Sequence, residues 1–195
     1  MDPIIPLVFG IAFLAVSLAR SLWLKRTTGI DAYVIDHADP THRFVAQIFG
    51  VVIFGLFAYF GAIVLMPSAE PALGLLAWAV SDVTRLASIL LMGFSIVWTG
   101  YAQIAMGSSW RIGIPNEAPP LRTEGPFALS RNPIFLGMLA FVLGMTLWSP
   151  SAVTITLLAA SYISIEIQIR SEEAFLERMH GDVYRAYKAR VRRWI

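Results

Sequence analysis

Cysteine is absent from this chain, which excludes disulfides, thiolate nucleophiles and cysteine-ligated metals. Charge is scarce as well: 14% of the 195 residues are Asp, Glu, Lys or Arg, against about a quarter in an ordinary soluble domain. The histidines, His37, His42 and His180, have no metal-ligand spacing, so no metal site is expected. The formal net charge is only +2, and no nucleic-acid partner is expected. There is no basic stretch before the first apolar run at Pro3 and no small-residue cleavage site after it, so that run is expected to be a retained helix.

Long apolar runs take the place of the missing charge. The chain is 57% hydrophobic, with a mean hydropathy of +0.67. Five segments stand out: Ile4 to Leu24, Phe44 to Met66, Leu86 to Met106, Pro133 to Trp148 and Ala152 to Ile169. A spanning helix needs about 20 apolar residues, so the last two are short. Ser149-Pro150-Ser151 joins them as a tight helical hairpin. Pro71 to Val80 is too short to cross and is expected to be interfacial or re-entrant. The expected fold is therefore all-α, a polytopic membrane helix bundle of about five spans. An amphipathic helix in the C-terminal tail completes it.

Basic residues orient the bundle. With the N-terminus outside, Lys25, Arg26, Arg43, Arg111, Arg122, Arg131 and the tail lie in the cytoplasm, and Arg20 snorkels to that face. Only Arg85 of the 15 basic residues is left outside, beside Asp2, Glu70 and Asp82. If the chain is prokaryotic, the bacterial inner membrane is the expected location. The polar loop Gly107 to Asn132 and the tail from Glu166 share the cytoplasmic face, because the intervening hairpin returns to it.

In the tail, Ile165, Ile169, Glu172, Leu176 and Met179 fall on one helical face. Acidic side chains at such depth are costly and mark a functional site by default, although the pair Glu172-Glu173 can equally be read as the solvated start of a tail helix. Glu166 has Arg170 as an i,i+4 partner. Gly181 stops the helix and Asp182 can cap a new one, in which Tyr184, Tyr187, Val191 and Trp194 share a face. Arg185, Lys188, Arg192 and Arg193 lie mostly away from that face, so the second helix reads as an interfacial anchor on anionic headgroups, with tyrosines that could also line a pocket.

In the loop, Arg131-Asn132-Pro133 opens the fourth span, with proline tolerated in the first turn. Such a helix N-terminus attracts a carboxylate or phosphate, whereas a plain positive-inside anchor is the simpler reading. Trp110 and Arg111 mark where the third span emerges. They are either interface residues or guards of an opening to the bilayer, and Arg111 has Glu117 and Glu124 as possible partners.

The stretch Gly107 to Ile195 resembles the isoprenylcysteine carboxyl methyltransferase family, which is related to the phospholipid methyltransferases. The resemblance rests on Gly125-Pro126, Arg131-Asn132-Pro133-Ile134-Phe135-Leu136-Gly137, Glu172-Glu173, and His180-Gly181-Asp182-Val183-Tyr184-Arg185-Ala186-Tyr187, in that order around a hairpin. Asn132, Phe135 and His180 stand where the family has histidine, tyrosine and phenylalanine. Asparagine keeps hydrogen bonding but cannot titrate, and Phe135 keeps the ring without the hydroxyl.

No internal repeat or low-complexity linker divides the chain, so one membrane domain is expected over 1–195, with three spans in 1–106, while the resemblance implies a cofactor-binding loop, hairpin and tail in 107–195. It implies methyl transfer from S-adenosylmethionine to a lipophilic small molecule or lipid at the cytoplasmic face. Arg131, Asn132, Pro133, Phe135, Gly137, Glu172, Glu173, Tyr184 and Tyr187 are then the cofactor-binding candidates. Among these, Glu172 and Glu173 would hold the ammonium group, Arg131 and the fourth helix the carboxylate, and the tyrosines the adenine. Arg111 and Asn132 are the catalytic candidates, Trp110 and Arg111 the substrate contacts, and Glu124 and His180 weak candidates for a general base. Two other readings stay open: an NADPH-dependent membrane reductase of steroid-reductase type, and a non-catalytic membrane adaptor. The scattered arginines and the missing G-x-G-x-x-G count against the dinucleotide.

Overall fold

The computed structural model describes residues 2–29, 32, 40–111 and 120–195. Glu117, a possible partner of Arg111, lies outside the described residues. The chain runs through α1 (Ile4–Thr28), α2 (Pro40–Leu65), the single turn α3 (Ala69–Ala72), α4 (Asp82–Met106), α5 (Pro133–Trp148), α6 (Ala152–His180) and α7 (Asp182–Arg190). Among the described residues four helices, α1, α2, α4 with its short extension, and α6, are long and apolar enough to cross a membrane. They are rimmed by exposed apolar side chains such as Val8, Ile11, Phe54, Leu90, Val97 and Ile163, as a lipid-facing surface requires.

The fifth apolar helix, α5, is short for a physical reason. Its 16 residues span about 24 Å, less than the roughly 30 Å of hydrocarbon, but it is packed inside the bundle instead of facing lipid. Gly144 meets Met92 on α4, where a Cβ would lie 2.7 Å from Met92 Cγ and 3.3 Å from Ser88 O. Ser88 Oγ donates to Gly144 O at 2.6 Å across this contact. Gly137, two turns earlier, sits against Thr99 and Trp98. Small residues at this spacing let two backbones approach, the usual device for helix association in lipid.

Local signals set the helix ends. Ser81 with Thr84, and Ser151 with Thr154, form reciprocal capping boxes at the starts of α4 and α6. Gly29, Gly107 and Gly181 terminate α1, α4 and α6 at positive φ, where only glycine is unstrained. Arg20 caps the end of α4 from α1, donating to Gln103 O at 3.3 Å and Gly107 O at 2.9 Å. α6 has 29 residues, about 43 Å, so its last turns carry Glu172 and Glu173 beyond a hydrocarbon core.

The two ends of the bundle differ. At one end Leu76 N donates to Pro150 O at 2.8 Å, and Ala152 N to Gly74 O at 3.2 Å. The segment expected to be interfacial or re-entrant thus folds as α3 and a 3-10 turn (Ala77–Ala79) over the α5–α6 hairpin. Ser149 Oγ donates to Glu70 Oε1 there at 2.7 Å and lies 2.7 Å from Tyr59 Oη. The opposite end gathers the C-terminal ends of α1, α4 and α6, the start of α5, the loop before it and the tail. The N- and C-termini consequently lie on opposite sides of the bundle.

Candidate active site

Gly125, at φ 59°, turns the chain into a short 3-10 helix (Gly125–Ala128) with Pro126 in its first turn. This lays the loop under α7. Tyr187 Oη donates to Phe127 O at 2.6 Å. Tyr184 and Tyr187 are both buried, with ring centroids 6.0 Å apart at 61°. The expectation that these rings anchor a helix on headgroups is corrected: they point into the protein. Burial pushes the Tyr187 hydroxyl up to about 12 and moves that of Tyr184 upward too, so both remain proton donors at neutral pH. Gly181, not Asp182, is the N-cap of the helix; Asp182 is its first residue and accepts from Arg185. It ends at Arg190, so Val191 and Trp194 do not continue its face.

Past Arg190 the chain straps across the loop before α5. Arg131 N donates to Arg192 O at 3.0 Å. Ser130 Oγ and Asn132 Nδ2 both donate to Arg193 O, at 3.1 and 3.2 Å. The Arg131 guanidinium donates to Val191 O at 2.6 Å and Lys188 O at 3.2 Å. Arg131 also pairs with Glu173 at 2.8 Å, and Arg193 grips the other oxygen of Glu173 at 2.8 Å. Arg193 reaches Glu166 at 3.2 Å, which Arg170 approaches at 3.4 Å. Hydrogen bonding to Glu173 raises the Arg193 guanidinium above its ordinary value. Arg193, read from the sequence as part of a headgroup anchor, is thus a structural cation of the site.

The glutamate pair divides its work. Glu173 is 5% exposed and fully engaged by two guanidiniums. Glu172 lines the same cavity as Glu173 but accepts at 2.8 Å from Gln168 Nε2, one turn back, instead of from a guanidinium. That cavity has a volume of about 610 Å³, within the range of small-molecule sites. Its polar end is formed by Arg131, Asn132, Gln168, Glu172, Tyr184 and Tyr187. Its apolar end continues past Phe135, Met138 and Phe141 to Leu14 and Leu18 on α1 and Phe49 and Ile53 on α2. Leu18 and Ile53 are also exposed on the lipid-facing surface, so the chamber reaches the outside of the bundle between α1 and α2.

A match to the phospholipid methyltransferase family covers residues 83–183, just over half of the chain. The chain belongs to that family. It is a multi-pass membrane methyltransferase, of a family whose members generally draw the methyl group from S-adenosylmethionine. A 63-residue segment, 32% of this chain, is 35% identical to an uncharacterized protein of Haemophilus influenzae and spans the whole of that protein.

Most of the candidate residues meet in the one chamber of this methyltransferase. Trp110, Arg111, Arg131, Asn132, Pro133, Phe135, Glu172, Glu173, Tyr184 and Tyr187 all line it. Gly137 does not: it faces α4, where its missing Cβ makes room for Thr99. Trp110 is buried, not interfacial, with Nε1 donating to Ser21 Oγ at 3.2 Å. Arg111 donates to Ser108 O and Trp110 O, both at 2.7 Å, and among the described residues it pairs with neither Glu124 nor any other carboxylate. Glu124 and His180, the weak base candidates, lie outside the chamber lining. Sequence reasoning missed Gln168, Ser130 and the bridging role of Arg193. Gln168 was detectable as a polar side chain one turn before Glu172 on an apolar helix.

Proposed function

We propose that the chain transfers the methyl group of S-adenosylmethionine to a lipophilic acceptor at the cytoplasmic membrane face. The observation that carries this reading is the single chamber with a charged end at Glu172 and an apolar end reaching lipid between α1 and α2. The residues present fit the methyl donor. Glu172, with no cation on it among the described residues, suits an α-ammonium group, and the buried tyrosine pair suits an adenine ring. Arg131 is committed to Glu173 and to tail carbonyls, so its part is to hold the pocket in shape more than to clasp a carboxylate. Asn132, whose amide holds the tail strap, is a positioning residue for the same reason.

When bound, the donor supplies an electrophilic methyl carbon on a sulfonium: an acceptor lone pair forms the new bond as the carbon–sulfur bond breaks and sulfur keeps the electron pair. The protein's contribution is alignment and exclusion of water. The strap of Val191–Arg193 closes the polar end, while the apolar walls hold the acceptor chain. A dinucleotide would require free cations for its pyrophosphate; beside Glu172, Arg131 and Arg193 are both neutralised by glutamates, which leaves Arg111 and Arg122 as the lining cations without a carboxylate among the described residues.

Calorimetry with S-adenosylhomocysteine and, separately, NADPH on the purified protein tests the reading. Micromolar affinity for the former alone is expected, together with transfer of labelled methyl from the donor into a lipid extract. Binding of NADPH alone would favour the reductase, and binding of neither the non-catalytic adaptor.

A further inference from the structure

A second group of charges surrounds the turn that ends α4. Gly107–Ser109 is a 3-10 turn, and Ser109 Oγ donates to Pro120 O at 3.1 Å, which draws the loop back against it. Three guanidiniums gather there. Arg20 donates to Gly107 O at 2.9 Å, and Arg111 Nη1 donates to Ser108 O and Trp110 O, both at 2.7 Å. Arg122 lies over Gly107, where a Cβ would meet its Nη2 at 3.3 Å. Among the described residues, no carboxylate pairs with any of the three. Arg20 is occupied in capping α4. Arg111 keeps Nε and Nη2, and Arg122 its whole fork, without a hydrogen-bond partner among the described residues.

Arg111 and Arg122 both line the chamber, together with the apolar Leu14 and Leu18 of α1 and Ile53 of α2. The positive-inside rule is served equally well by cations outside it, such as Arg43, which is exposed at the start of α2 and absent from the lining. Like charges gathered on one turn repel one another, and an anion between them removes that cost. The end of α4 lies near the membrane boundary, so an amphiphile whose chain runs along Leu18 and Ile53 brings its head to this turn. We infer that Arg111 and Arg122 form an anion subsite for the head of a membrane amphiphile, carboxylate or phosphate. The planar arginine fork matches both oxyanions. The subsite is separate from the network of Arg131, Glu173 and Arg193, where the charges already cancel. Its assignment to the methyl acceptor rests on the proposed methyltransferase reading, and it restricts the acceptor to amphiphiles with an acidic head.

The test uses the whole protein in a maltoside detergent, which carries no anion, and subtracts binding to empty micelles. The probes are tritiated dodecyl phosphate, dodecanoate and 1-dodecanol, at mildly alkaline pH where both acids are ionised. The wild type is expected to prefer at least one anion over the alcohol by about tenfold or more, the worth of one hydrogen bond to a charged group. The stronger of the two identifies the oxyanion. Raising the ionic strength from about 0.01 M to about 1 M, which shortens the Debye length from roughly 30 Å to 3 Å, should narrow that preference. Arg111→Gln with Arg122→Gln should bring it close to one, and each substitution alone should narrow it, so a single variant decides the matter if the pair does not fold. Arg43→Gln removes the same charge outside the chamber and should leave the preference intact. Equal binding of all three probes by the wild type, an equal loss in Arg43→Gln, or displacement of the anions by NADPH overturns the subsite. Failure of the wild type to bind S-adenosylhomocysteine would instead overturn the methyltransferase reading, and the probe ratio would still judge the subsite.

Discussion

Glu172 and Glu173 are neighbours in sequence, but about 100° of helical rotation separates an ammonium-binding candidate from an ion-pair hub. Glu172→Gln is therefore expected to weaken S-adenosylhomocysteine at least tenfold in calorimetry while leaving the melting temperature nearly unchanged. Glu173→Gln should do the reverse first. It leaves Arg131 and Arg193 without their shared carboxylate, at a cost of about 3 kcal/mol, read as a lowered melting temperature. Equal thermal losses in the two variants would count against this division of roles. Tyr187 offers a pH test. Its proton is held more tightly when folded, with the hydroxyl pushed from 10 up to about 12 by burial. The stability from its bond to Phe127 O is thus intact below pH 10 and is lost as pH rises toward 12. Tyr187→Phe should cost about 1–3 kcal/mol, because Phe127 O is left unpaired, and should flatten that alkaline decline in a melting series.

At the scale of elements, two contacts position everything else: α5 against α4, and the tail strap against the loop. Gly144→Leu would push a side chain into Met92 and the Ser88 carbonyl, and overpacking of this kind costs about 1–3 kcal/mol. A lower temperature of thermal aggregation in detergent should follow, whereas Gly61→Ala, where a Cβ meets nothing within 4 Å, should be neutral. Deleting Val191–Ile195 removes the carbonyls held by Ser130, Arg131 and Asn132 and one guanidinium on Glu173. Loss of S-adenosylhomocysteine binding is expected with the helical circular-dichroism signal retained. Undiminished binding would show that the strap does not shape the pocket. The helices were legible in the sequence because hydropathy, capping residues and glycine stops are local signals, and α5 begins and ends at the expected Pro133 and Trp148. The strap was not legible: Arg193 looked like one more basic residue at a membrane surface, since its partners lie 20 and 27 residues away.

For the whole molecule, the segregation of basic residues is the topological signal. Arg85 stands with Asp2, Glu70 and Asp82 at the hairpin end, while Arg20, Arg43, Arg111, Arg122 and Arg131 lie at the site end. The positive-inside bias then predicts that the chamber's charged end faces the cytoplasm. The cysteine-free chain suits a direct check. Asp82→Cys in intact cells should react with a membrane-impermeant maleimide, and Arg190→Cys should react only after permeabilisation. The reverse pattern would invert the orientation and move the proposed chemistry to the other face.

By itself the sequence determined the membrane class, the helix bundle and the order of the motifs, because apolar runs, caps and loop chemistry each act over a few residues. It also placed Arg131, Asn132, Glu172, Tyr184 and Tyr187 near one another through the geometry of the hairpin. Only the tertiary structure decided which glutamate is neutralised by two arginines and that Gly137 serves packing. Those outcomes depend on how α1, α2 and the tail close around α4, α5 and α6, through contacts between residues far apart in the chain that no local pattern encodes.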